Sequence, residues 1–77
     1  MYHNSMKEYV INLFWDEEAS VWGAINDQIP ITLESGSLDL LIERVRSAVP
    51  ELLELNGLSE EVTMLRFQAE RLMKAIS

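Results

Sequence analysis

Residues Tyr9 to Ser35 restrict the fold more than any other stretch of this chain. The run Tyr9-Val10-Ile11-Asn12-Leu13-Phe14-Trp15 is broken by Asp16-Glu17-Glu18-Ala19-Ser20. A second run, Val21-Trp22-Gly23-Ala24-Ile25, leads through Asn26-Asp27-Gln28-Ile29-Pro30 into Ile31-Thr32-Leu33-Glu34. Short runs of β-branched and aromatic residues, separated by acidic and turn-forming ones, predict a strand, a turn, a strand, a loop and a third short strand. In the first strand Tyr9, Ile11, Leu13 and Trp15 share one face by the two-residue period, which makes that face the core side and Trp15 a core plug. The opposite face carries Val10, Asn12 and Phe14. It is too apolar for full solvation, and Val10 and Phe14 become candidates for cover by another chain. Both faces of the second strand are apolar, so pattern alone leaves its register open. Gly23 within a strand signals a bulge or the close approach of another backbone or ring. Pro30 holds Ile29 extended and cannot donate to a ladder, which starts the third strand near Ile31.

After Ser35-Gly36 the period changes. Ser37 is a good N-cap, Asp39 suits the positive end of a helix, and Leu38, Leu41, Ile42, Val45, Ala48, Val49 and Leu52 recur at spacings of three and four. This predicts an amphipathic helix that closes near Asn56-Gly57, where glycine supplies a left-handed cap. Pro50 lies inside it. An interior proline costs around 3 kcal/mol, which predicts a kink or break near Ala48 with Glu51–Leu55 as a separate turn. The last segment carries two signals. Leu58, Val62, Leu65, Ala69, Leu72 and Ile76 follow a four-three helical spacing, while Thr63, Leu65 and Phe67 within 62–68 also fit one side of a strand.

At 77 residues the chain is read as a single domain over 1–77, with 1–8 as a flexible N-terminus. A hydrophobic content of 48% with 25% charged residues fits a folded protein. Six basic against 13 acidic side chains give a net charge of −7, a field that repels nucleic acid and attracts basic partners. Direct nucleic-acid binding is therefore not expected. There is no cysteine, which removes thiolate chemistry, disulfides and Cys-ligated zinc. No signal-peptide pattern or membrane-length apolar run is visible, so a cytoplasmic protein is expected.

The sequence offers little for catalysis. The chain has no cysteine and one histidine, His3, near the terminus, so no Ser-His or Cys-His pair can be assembled unless His3 folds back. Gly23, Gly36 and Gly57 are isolated, so no phosphate-cradling loop is present. Asp16-Glu17-Glu18 matches no calcium-loop spacing and reads as a solvated turn. We expect no enzyme activity, no cofactor and no metal. Of the two tryptophans, Trp22 is the better interface candidate.

The string Phe14-Trp15-Asp16-Glu17-Glu18-Ala19-Ser20-Val21-Trp22, then Ile29-Pro30 and Leu33-Glu34, carries a resemblance. So do Leu40-Leu41-Ile42-Glu43-Arg44-Val45 and Val49-Pro50-Glu51-Leu52-Leu53-Glu54-Leu55-Asn56-Gly57. Over residues 9–57 the chain resembles the short uncharacterised bacterial domains grouped with the HicB-like antitoxins, in the branch without a DNA-binding tail. Ile31 stands where relatives usually carry a glycine after Ile-Pro, and Ser37-Leu38-Asp39-Leu40 replaces a Thr-Leu-Glu-Glu helix start. The resemblance implies an α+β fold of β-β-β-α-β order: three antiparallel strands, a covering helix and a fourth edge strand, like a truncated ribonuclease H core. On that implication 62–68 is a strand, followed by a short helical tail from Ala69. It brings no ribonuclease active site.

The same resemblance implies a partner, a small basic RNA-cleaving toxin of the HicA type, which the acidic field would steer and hold. Only about 20 residues follow Gly57, too few for a DNA-binding unit beyond a fourth strand. The competing reading is a homo-oligomeric interaction protein with no toxin, assembled through an open edge strand or through the Leu58–Ile76 stripe. For either partner the candidate surface is Val10, Phe14, Trp22 and Glu34.

Overall fold

The computed structural model of the chain describes residues 6–60 and 62–76. Its elements are β1 (Met6–Asp16), β2 (Val21–Ile25), β3 (Leu33–Ser35), α1 (Leu38–Leu55) and β4 (Val62–Glu70). They form one four-stranded sheet in the order β3-β2-β1-β4, covered on one face by α1. β1 pairs antiparallel with β2, and β2 antiparallel with β3, while β4 runs parallel to β1. This is the expected α+β, β-β-β-α-β arrangement.

The core lies between α1 and the face of the sheet that bears Tyr9, Ile11, Leu13 and Ala24. The helix contributes Leu41, Val45, Val49 and Leu53, an i, i+4 row that stacks on one side of a helix. Ile29 and Ile31 complete it from the loop before β3. The expected start of the third strand at Ile31 is displaced to Leu33. The Ile31 amide donates to the Ile29 carbonyl at 2.8 Å, a tight turn around exposed Pro30 that sends both isoleucines inward and leaves no donor for a ladder.

Asn26 holds this loop to the sheet. Its Nδ2 donates to the Val10 carbonyl at 2.7 Å, and its Oδ1 accepts from the amides of Gln28 at 2.6 Å and Ile29 at 2.8 Å. The β1–β2 turn is built the same way: the Asp16 carboxylate accepts from the amides of Glu18 and Ala19. Asp16 is thereby committed to the backbone of its own turn.

α1 begins as its sequence predicts, with Ser37 Oγ accepting from the Leu40 amide at 3.2 Å. It ends in a Schellman motif: the Leu58 amide donates to the Leu53 carbonyl and the Gly57 amide to the Glu54 carbonyl, with Gly57 at φ +67°. The expected break near Ala48 does not occur, and α1 runs unbroken through Pro50 to Leu55. Pro50 lies on the exposed side, as does Arg46, whose carbonyl loses its helical donor to the proline, so this gap in the helix ladder is on the side away from the core.

Three further expectations are corrected. Met6–Glu8 are not a flexible terminus but the first residues of β1, laddered to Val62–Met64 of β4; residues 1–5, with His3, lie outside the described residues. Residues 71–76 form no helix and leave β4 without regular structure, so the Leu58–Ile76 stripe does not exist as a helix face. A six-residue tail is too short to nucleate a helix by itself. Trp15 is half-buried rather than a core plug, because it sits at the end of β1 next to the turn. Among the described residues no helix is long and apolar enough to cross a membrane.

Candidate functional site

With α1 on one face of the sheet, the opposite face has no cover among the described residues. Register assigns its members. Met6, Glu8, Val10, Asn12 and Phe14 alternate with the core residues of β1. They stand beside Val62, Met64, Arg66, Gln68 and Glu70 of β4, Ile25 and Gly23 of β2, and Glu34 of β3. The face is an apolar stripe framed by carboxylates. Met6, Phe14, Ile25, Val62 and Met64 are all exposed large hydrophobics.

Val10, Phe14 and Glu34 are thus brought onto one surface, as the alternation in the first strand allows. Trp22 is not among them. It pairs with Trp15 in register and points to the helix side, where it packs against the core. The two indoles meet edge to face at 5.6 Å between centroids and 66° between planes, and the Arg71 guanidinium lies 3.9 Å over the Trp15 ring. Trp15 Nε1 donates to Glu17 at 2.6 Å. Arg71 belongs to a segment that local periodicity assigns to a helix; the signal that could have found this cluster is its parity with Leu65, Phe67 and Ala69 once 62–70 is a strand.

Phe14 lies across Gly23. A Cβ placed on Gly23 would meet Phe14 Cζ at 2.5 Å, so the glycine is the seat of the ring, the close approach its position in a strand signals. Next to the ring a hollow of about 190 Å³ is lined by Phe14, Gly23, Ile25, Thr32 and Glu34. Met6, Ile25, Val62 and Met64 also belong to this surface, and sequence reasoning does not single them out. Met6 keeps the parity of Val10 and Phe14; Ile25 becomes assignable only once Asn12 is its partner.

One ion pair crosses the face. Arg66 Nε and Nη2 donate to the two Glu8 carboxylate oxygens at 2.8 and 3.0 Å, a bidentate bridge from β4 to β1. The hydrogen bond from Arg66 holds the Glu8 carboxyl below its ordinary 4.5, and the same bond raises Arg66. The other carboxylates on this side, Glu34 and Glu70, have exposed side chains and give the frame its negative sign.

The family model described as "Domain of unknown function (DUF1902)" matches residues 8–76. Among solved structures, the crystal structure of hypothetical protein TTHA1013 from the extremely thermophilic bacterium Thermus thermophilus is similar, with 35% identity and a TM-score of 0.77. The match covers 90% of this chain and 100% of that one. No curated protein matches.

Proposed function

Because this chain belongs to the DUF1902 family, whose description assigns no role, we propose its function from its surface: a non-catalytic, antitoxin-like module that sequesters a small basic RNA-cleaving toxin. The observation that carries this reading is the uncovered sheet face. It combines exposed apolar side chains, among them Phe14 and Met64, with the carboxylates of Glu34 and Glu70, on a chain of net charge −7. Apolar area gives an interface its core, and the acidic frame steers a basic partner and competes with that partner's RNA.

The test is reconstitution with the product of any small basic reading frame that adjoins the gene. Addition of this protein should suppress that product's RNA cleavage, and the two should co-purify. Phe14→Lys, on the exposed face, should release the activity while circular dichroism remains unchanged. A pull-down that returns only self-association sinks the reading.

A second reading, a homo-oligomeric interaction protein with no toxin, draws on a different observation. The outer edge of β4 has no strand partner among the described residues.

A further inference from the structure

We infer that two copies of this chain join β4 to β4 in antiparallel fashion about a two-fold axis at Gln68, making one continuous eight-stranded sheet. The inference deepens the homo-oligomer reading and rests on it. It is independent of any toxin.

Three observations lead to this edge and this register. The first is the edge itself. Of the two edge strands, β3 offers only Leu33–Ser35, whereas β4 offers nine residues, Val62–Glu70. The sequence of β4 has no lysine, proline or glycine, the residues with which natural edges discourage pairing. Its one cation, Arg66, is already paired to Glu8.

The second is the tail. Beyond Arg71 the chain carries Leu72 and Ile76 at 99% and 101% exposure, with no regular structure of its own. Continuing β4 along a second copy gives Leu72 a neighbour and gives residues 71–74 a ladder, since Lys74 then reaches Val62, the first residue of the facing β4. The third is complementarity. Antiparallel pairing keeps both helices on one side only when residues of like parity face each other. Centring on Arg66 would set two arginines in opposition, which is unfavourable. Centring on Gln68 places Arg66 opposite the Glu70 of the second copy, twice by symmetry, and Leu72 opposite Met64.

The same register closes a groove. Between α1 and β4 lies a channel of about 340 Å³ lined by Arg46, Val49, Pro50, Thr63, Leu65 and Phe67. It flanks the β4 edge, and Leu65 and Phe67 are only half-buried within it. In the paired sheet Met73 of the second copy stands opposite Thr63, in line with that channel. Met73 is exposed in the single chain.

The experiment uses the full chain. Sedimentation should give a dimer, and because the protein has no cysteine, Gln68→Cys should cross-link to itself on mild oxidation. Directly opposed residues of an antiparallel pair lie about 4.5–5.5 Å apart at Cα, within disulfide reach. Asp27→Cys, on the distant loop, should stay reduced. Glu70→Arg should raise the dimer Kd about tenfold by facing two arginine pairs across the seam. That change takes the net charge from −7 to −5, which by itself favours association, so a weaker dimer is specific to the register. A monomer at every concentration overturns this inference and the homo-oligomer reading together. A dimer in which Gln68→Cys does not cross-link overturns the β4 seam and leaves the oligomer standing.

Discussion

The seat of Phe14 on Gly23 can be measured as a coupling between two residues. Gly23 has no positive φ, so alanine fits its backbone, and the three atoms nearest the new Cβ all belong to the Phe14 ring, with Cζ at 2.5 Å. Phe14 is 42% exposed, so over half of it is out of water; full burial of a phenylalanine stabilises by about 1.5–3 kcal/mol, and that share comes to about 1–1.7 kcal/mol. Against this, replacing glycine by alanine inside a strand gains about 0.5–1 kcal/mol of conformational entropy. The ring is the far end of a half-exposed side chain and can swing away, so displacement rather than overlap sets the cost. In the native sequence Gly23→Ala should therefore lower stability by up to about 1 kcal/mol. In a Phe14→Ala background the same change should raise it by about 0.5–1 kcal/mol. Urea unfolding followed by the fluorescence of Trp15 and Trp22 gives all four corners of the cycle. Additivity of the two changes within about 0.5 kcal/mol would refute the seat.

The Tyr9 hydroxyl is buried at 2% residue exposure with no hydrogen-bond partner among the described residues, so Tyr9→Phe should leave urea stability unchanged or raise it by about 1 kcal/mol; a clear loss would mean that the hydroxyl is bonded. Asn26→Ala leaves the Val10 carbonyl and two loop amides unmatched and should cost about 2 kcal/mol, read by the same unfolding curves, whereas a surface-like loss below about 0.5 kcal/mol would remove its role as the loop's anchor. Glu8 has its folded pKa lowered by the bond from Arg66, so its contribution is present above the ordinary 4.5 and fades as pH falls through the lower folded value. The stability difference between the native protein and Arg66→Gln should accordingly be flat from pH 7 to about 5 and shrink below; growth of the difference on acidification contradicts this.

The residues that make the sheet legible are those whose environment is two-sided. Tyr9, Ile11 and Leu13 alternate with a half-exposed face, and all three are core. Gly23 signals a close approach, and the ring of Phe14 is what approaches. β4 is harder to read for a physical reason. Its inner residues are only half-covered by α1 and its outer ones include Val62 and Met64, so neither face is cleanly polar and the two-residue period is blurred. Thr63, Leu65 and Phe67 fit a strand no better than the four-three spacing fits a helix, and the fold implied by the family resemblance is what favours a strand there. Pro50 misleads because the cost of an interior proline depends on where the freed carbonyl looks, which sequence does not record. Trp22 leaves the candidate surface for a similar reason: in Val21–Ile25 both parities are apolar, and the register with β1 alone decides which side faces the helix. Of the four candidate residues, the three whose strands give a clear parity lie together.

The parallel pairing of β1 with β4 joins the first strand to the last. Met6 is laddered to Val62, and the whole of β2, β3 and α1 lies between them. During synthesis the hairpin of β1 and β2 can close within a few residues, but the other side of β1 must wait until β4, Val62–Glu70, has been made. Until then the nascent protein carries a long uncapped template in its first strand, with Tyr9, Ile11 and Leu13 only partly sheltered. The ordering of the strands thus imposes a late, non-local final step on folding, which slows the search and lengthens the time for which β1 can recruit a wrong strand. A chain cut short before Val62 would keep that exposure permanently, which makes the last strand the gatekeeper of the first.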